Sequence, residues 1–165
     1  TLIAMADGSQ REIREIKVGD MVYTGQGNVE VINIYCGMEQ EIICIETETG
    51  KRLLLTGGHP VMTEEGWVRA NDLNAGMCII TADGKAEKMK GLYMMPYNKK
   101  VYNLELKEND LQLIAEGIIV GDFMKQNHME DCCNRKEEPI KGQEELAAEF
   151  QILVSEINKR RKWNE

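Results

Sequence analysis

Two histidines, five cysteines and a spread of carboxylates are the groups in this chain that could do chemistry. The first histidine, His59, lies in the stretch LLLTGGHPVMTEEGWV, Leu53 to Val68, just after an apolar run and two glycines. A histidine titrates near neutral pH and can therefore pass a proton under physiological conditions. Beside an apolar strand it can equally serve as packing. Thr56, three residues earlier, carries a hydroxyl able to orient a polar group. Asp110 falls between two apolar segments, where an aspartate either closes a turn or tunes a nearby site as an acid. Thr1 could act as a terminal nucleophile with its own amine as base, but its neighbours read as an opening strand.

The cysteines are Cys36, Cys44, Cys78, Cys132 and Cys133. Their number is odd and their spacing suggests no disulfide framework, so free thiols in a reducing, cytoplasmic setting are expected. His128, Cys132 and Cys133 lie close in sequence, but no second Cys/His pair has ligand spacing and structural zinc takes four ligands. No metal and no cofactor are expected. The net charge of −8 argues against a nucleic-acid partner, because phosphate contacts need a basic field. No apolar run approaches the roughly 18 residues of a membrane span, and no signal peptide is visible. Thr1 is not a natural translation start, so an upstream segment is expected.

These residues need elements to hold them. Residues 1–122 read as short strands separated by turns. Val29–Tyr35, Glu41–Glu46, Lys51–Thr56, Val101–Leu106, Leu111–Ala115 and Ile118–Val120 carry strand-type composition. Turn signals recur at Asp7-Gly8, Thr49-Gly50, Gly57-Gly58, Asp83-Gly84 and Glu116-Gly117. The pattern predicts an all-β domain. Residues 123–142 are polar and aperiodic and read as a linker. Residues 143–165 carry an apolar stripe, Leu146, Phe150, Leu153, Val154 and Ile157, with acidic residues first and basic residues last. That is an amphipathic helix matched to its dipole, a C-terminal extension too short in heptads to assert oligomerisation.

The β region repeats itself. Ile16–Thr24 lines up with Leu73–Thr81, Ile42–Glu46 with Val101–Glu105, and Leu54–Val61 with Leu113–Val120, at a near-constant offset. Two similar halves follow. In that alignment His59 meets Ile118 and Thr56 meets Ala115. The second half keeps aliphatic residues where the first has a polar pair, so the fold itself does not require that pair.

A duplicated β domain with Thr-x-x-His closing its first half resembles the Hint module, the fold shared by inteins and the Hedgehog autoprocessing domain. Three ordered segments carry the resemblance over residues 1–122: Thr1–Val22, Thr56–His59, and Val101–Val120. It implies a Hint-like pseudo-two-fold β domain and autoprocessing by an N-to-S acyl shift. A cysteine at the module's first position would attack the preceding carbonyl, turning an amide into a thioester. His59 would donate to the scissile amide nitrogen, and Thr56 would hold that amide. The substrate would be the chain's own upstream segment in cis, and the acyl acceptor water, a small nucleophile or a second residue.

The sequence departs from the family pattern in four places. The nucleophilic cysteine would fall a few residues before Thr1. Asn103 replaces an aspartate of the closing segment. Asp110 or Leu111 replaces a histidine of the next strand. Gly121-Asp122 replaces the closing His-Asn, leaving Asp122 and Asp110 as candidate acids and no asparagine to cyclise. The amino-terminal half-reaction is therefore expected without full splicing. The rival reading is a degenerate Hint domain that no longer reacts and serves as a structural or binding module of a larger protein.

Overall fold

The computed structural model describes residues 1–108 and 112–137, with backbone alone at 132–137. Strands dominate: β1 (Leu2–Ala4), β2 (Gln10–Glu12), β3 (Met21–Tyr23), β4 (Asn28–Thr47), β5 (Arg52–Leu55), β6 (Pro60–Thr63), β7 (Gly66–Arg69), β8 (Cys78–Ile80), β9 (Ala86–Leu106), β10 (Gln112–Ala115) and β11 (Ile118–Gly121). Helix α1 (Phe123–Glu137) follows. Neighbouring strands run β2-β1-β10-β11-β6-β8-β9-β4-β3, with β5 added on β4 and β7 on β6. The pairings are antiparallel, so hairpins and short turns suffice to connect them.

The two halves expected from the repeat are visible as elements. A 3-10 turn at Ile13–Glu15 leads into β3 and then long β4; a 3-10 turn at Ala70–Asp72 leads into β8 and then long β9. The long strands pair with each other from Val31 opposite Leu106 to Thr47 opposite Met89. Bulges between Val31 and Asn33, Glu39 and Glu41, and Glu46 and Thr47 bend this ribbon. Its inner ends carry Val31, Ile43, Ile45, Leu104 and Leu106 into one core with Ile3, Leu53, Val61, Ile79, Leu113 and Ile118. Burial of these side chains supplies the main driving force.

Four threonines stay inside that core, and each closes a turn. Thr24, Thr47, Thr63 and Thr81 are all buried. Thr24 donates to the Gly27 carbonyl at 3.0 Å and Thr63 to that of Gly66 at 2.8 Å, while the Thr81 hydroxyl points between the Asp83 carboxylate at 2.5 Å and the Lys85 carbonyl at 3.0 Å. Thr47 accepts from the Lys51 N–H at 3.1 Å. Thr24 and Thr81, equivalent in the repeat, do the same job in each half. The hydroxyls add a side-chain hydrogen bond to turns whose backbone is already paired, as the Gly27 and Lys85 carbonyls also accept the Thr24 and Thr81 N–H groups.

The stretch 123–142 is not a linker throughout: its residues 123–137 are helical. The absence of an apolar period misled the sequence reading. This helix is held by its cap and by polar and aromatic contacts rather than by a greasy stripe. The Asp122 carboxylate accepts the Lys125 N–H at 2.9 Å, as an N-cap does, and the Leu106 N–H at 3.4 Å. The Phe123 ring stacks on Tyr35 with centroids 3.6 Å apart, and the Lys125 ammonium lies 5.2 Å from the Trp67 ring centre. Residues 138–142 of the expected linker and the amphipathic helix at 143–165 lie outside the described residues. Among the described residues, no helix is long and apolar enough to cross a membrane.

Thr81→Val keeps the shape of the side chain but leaves its turn partners short of a hydroxyl. The expected cost is about 1–3 kcal/mol, read as a lower urea midpoint at unchanged slope. A midpoint equal to wild type would mean that the buried hydroxyl contributes nothing.

Candidate functional site

Strand β5 ends at Leu55, and the chain turns through Thr56, Gly57, Gly58 and His59 before β6 begins at Pro60. The turn is tight because the His59 N–H returns to the Thr56 carbonyl at 3.1 Å. It is anchored from outside by the Ala70 N–H on the His59 carbonyl and the Asn71 N–H on the Gly57 carbonyl, both at 2.9 Å. The 3-10 turn after β7 thus fixes where the histidine stands.

His59 and Thr56 line a cavity of about 740 Å³. Thr1, Tyr35, Asn103, Phe123 and Gln126 line the same space. The chain's amino end, the first half's Thr-x-x-His and the helix after the closing strand therefore converge. Protein surrounds the His59 ring on most sides, while the residue as a whole keeps a partial opening. Burial pushes its pKa down from 6.5 to about 4, against hydrogen bonds to the Gly121 backbone and the Gln126 side chain, which raise it. At neutral pH the ring is uncharged.

The partners of Asn103 define one wall. Its side-chain carbonyl accepts the Leu104 N–H at 2.9 Å, and its amide donates to Gln126 Oε1 at 2.9 Å. Asp122 is fully buried and faces the helix start, where it caps α1. It does not line the cavity that holds His59. Asp110 and the alternative Leu111 lie outside the described residues. Ile118, the counterpart of His59 in the repeat, is wholly buried in the core, as is Ala115, the counterpart of Thr56.

Sequence reasoning missed Gln126, Tyr35 and Phe123. The one signal for Gln126 was Asp122 as an N-cap, which marks a helix start three residues ahead of Lys125. The described thiols, Cys36, Cys44 and Cys78, are free. No group of three metal-ligating side chains occurs among the described residues, and the side chains of Cys132 and Cys133 lie outside them.

The fold is that of a Hint module. The gp41-1 intein superposes with a TM-score of 0.65 at 24% identity, over 72% of this chain and 91% of that one. A DnaB intein from Synechocystis gives 0.63 at 17%, over 73% and 93%. A bacterial intein-like domain from Clostridium thermocellum gives 0.64 at 22%, over 73% and 94%. At these identities the likeness concerns the fold. The Pretoxin HINT domain family matches residues 2–120, and the chain belongs to that family, one of self-processing domains. A comparison with curated proteins finds no match.

The His59 shift has a consequence for stability. The unfolded chain takes up the proton near pH 6.5, but the folded chain resists it until about pH 4. Folded stability is therefore lost as pH falls through that window, by up to about 3 kcal/mol for this group. His59→Gln should flatten the loss between pH 6.5 and 4 in denaturant titrations. Parallel curves for the two proteins would show that the ring is not held neutral.

Proposed function

We propose that the chain carries out an N-to-S acyl shift on a peptide bond just upstream of Thr1, using a cysteine in the preceding segment. The carrying observation is convergence: Thr1, Thr56 and the enclosed ring of His59 line one cavity. The cysteine sulfur attacks the carbonyl carbon of the residue before it. A C–S bond forms, the C–N bond breaks, and the thiol's proton ends on the freed amine.

His59 is the group that moves that proton. With a pKa of about 4 it is neutral at rest, so it has no proton of its own to give at pH 7. It first accepts one from the attacking thiol and then delivers it to the amide nitrogen. The imidazolium formed in between is a strong acid in this pocket, which suits protonation of a poor leaving group. The Gly121 carbonyl holds the ring while it is charged. Thr56, at the mouth of the same turn, orients the scissile amide. Water or a small nucleophile then takes the acyl group from sulfur, releasing the upstream polypeptide in cis. The family's description as a pretoxin domain suggests a toxin precursor as the setting.

The carboxy-terminal half-reaction of an intein has no counterpart in this reading. Asp122 is engaged as a helix cap and offers no amide nitrogen for cyclisation. Gly121 has no space for the histidine that inteins place there: a Cβ would lie 2.7 Å from Lys125 Cγ and 3.0 Å from Pro60 Cβ. Splicing is therefore not proposed.

A precursor bearing the upstream residues with their cysteine, incubated with thiol, should yield the cleaved fragments by mass spectrometry. His59→Ala should slow cleavage by at least about 100-fold with the β fold intact by circular dichroism. A precursor that stays whole under thiol sinks the proposal. A His59→Ala variant that unfolds would assign the ring to packing instead.

A further inference from the structure

We infer that Gln126 is a positioning residue of the His59 site, and that helix α1 is thereby a working part of the module. The inference rests on the acyl shift proposed above, with His59 as proton carrier.

Both ends of the Gln126 amide are fixed. Its oxygen accepts from Asn103 Nδ2 at 2.9 Å, and its nitrogen donates to Glu130 Oε1 at 3.2 Å. Asn103 cannot turn over to release it, because the Asn103 carbonyl is already bound by the Leu104 N–H at 2.9 Å. A chain of oriented dipoles thus runs from the β9 backbone through Asn103 and Gln126 to Glu130. It leaves the Gln126 oxygen as an acceptor in the cavity that His59 also lines, where the Gln126 side chain and the Gly121 backbone both raise the ring's pKa against burial. A fixed acceptor on one N–H of the imidazolium sets the ring's orientation and leaves the second N–H for the amide nitrogen. That is the state in which the ring must face the amide nitrogen.

The turn beneath the helix lacks a side chain where the Gln126 and Glu130 side chains approach it. A Cβ on Gly58 would come within 2.9 Å of Glu130 Oε1 and 3.5 Å of Gln126 Nε2. Gly58 thus leaves room for the Gln126 and Glu130 side chains as placed, and a side chain there would make them shift. Gly121 does the same at the helix start, where Lys125 packs against it. Asp122, in place of an asparagine that would cyclise, supplies the cap. Residues 121 and 122 thus form a close packing point and a cap at the start of the helix that carries Gln126. No charged side chain contributes directly to the His59 shift; Glu130 stands one hydrogen bond further off, behind Gln126.

The test reads the ring itself, by 15N NMR of the full chain at pH 7 and through an acid titration. His128→Gln assigns the second histidine. Gln126→Leu should change the tautomer pattern of His59 at unchanged melting temperature. Gln126→Glu should raise its titration midpoint by about one pH unit or more, since a carboxylate then faces the imidazolium. In a cleaving precursor, Gln126→Leu should slow the reaction about 10- to 100-fold, and Gln126→Glu should recover most of the rate with its pH profile moved upward. His59 signals and midpoint identical to wild type in the folded variants would overturn the inference. If the leucine variant does not fold, the glutamate variant decides alone. A ring that responds in a precursor that never cleaves would uphold the positioning role and defeat the proposed acyl shift, so the two failures are separable.

Discussion

An imidazole withdrawn from water, and held there by the Gly121 backbone and the Gln126 side chain, is the interaction on which the site depends. Burial makes the ring a reluctant base and, once protonated, a strong acid. The hydrogen bonds keep that charged state attainable. Neither effect survives unless three distant pieces of chain meet. The turn after β5 supplies the ring, the end of β11 supplies the carbonyl, and α1 supplies the amide. The antiparallel pairing of β11 with β6, at Val120 opposite Val61, brings the first two together. The cap at Asp122 brings the third.

The duplication makes the division of labour visible. Thr24 and Thr81 close equivalent turns, and long β4 and β9 pair to form the shared ribbon. Both copies therefore serve the fold in those elements. At the ends of the halves they diverge. Ile118 is sealed in the core, whereas His59 opens on the cavity. One copy of a structural position has kept packing, and the other presents a titratable ring to the cavity. The cost is a partly buried titratable group whose ionisation opposes folding below neutral pH.

Much of this was readable in the sequence. The repeat gave the two halves, because equivalent turns need equivalent glycines and threonines. The contrast of His59 with Ile118 marked a polar position that the fold does not require, and the two are placed differently, one on the cavity and one in the core. The helix at 123–137 was not legible, because its residues show no apolar period and its stability comes from Tyr35, Trp67 and Asn103, each far away in sequence. Gln126 was hidden for the same reason. Gly121-Asp122 read as a loss relative to inteins; in three dimensions it is a tight packing point followed by a cap.

If His59 is the proton carrier, it must face the peptide bond that reacts. A crystal structure of an uncleaved precursor, with the upstream cysteine replaced by alanine, tests it most directly. The expected result is a His59 ring nitrogen within about 3.5 Å of the scissile amide nitrogen, with Thr56 against the same peptide. A scissile bond lying outside the cavity, with protein between it and the ring, would contradict it.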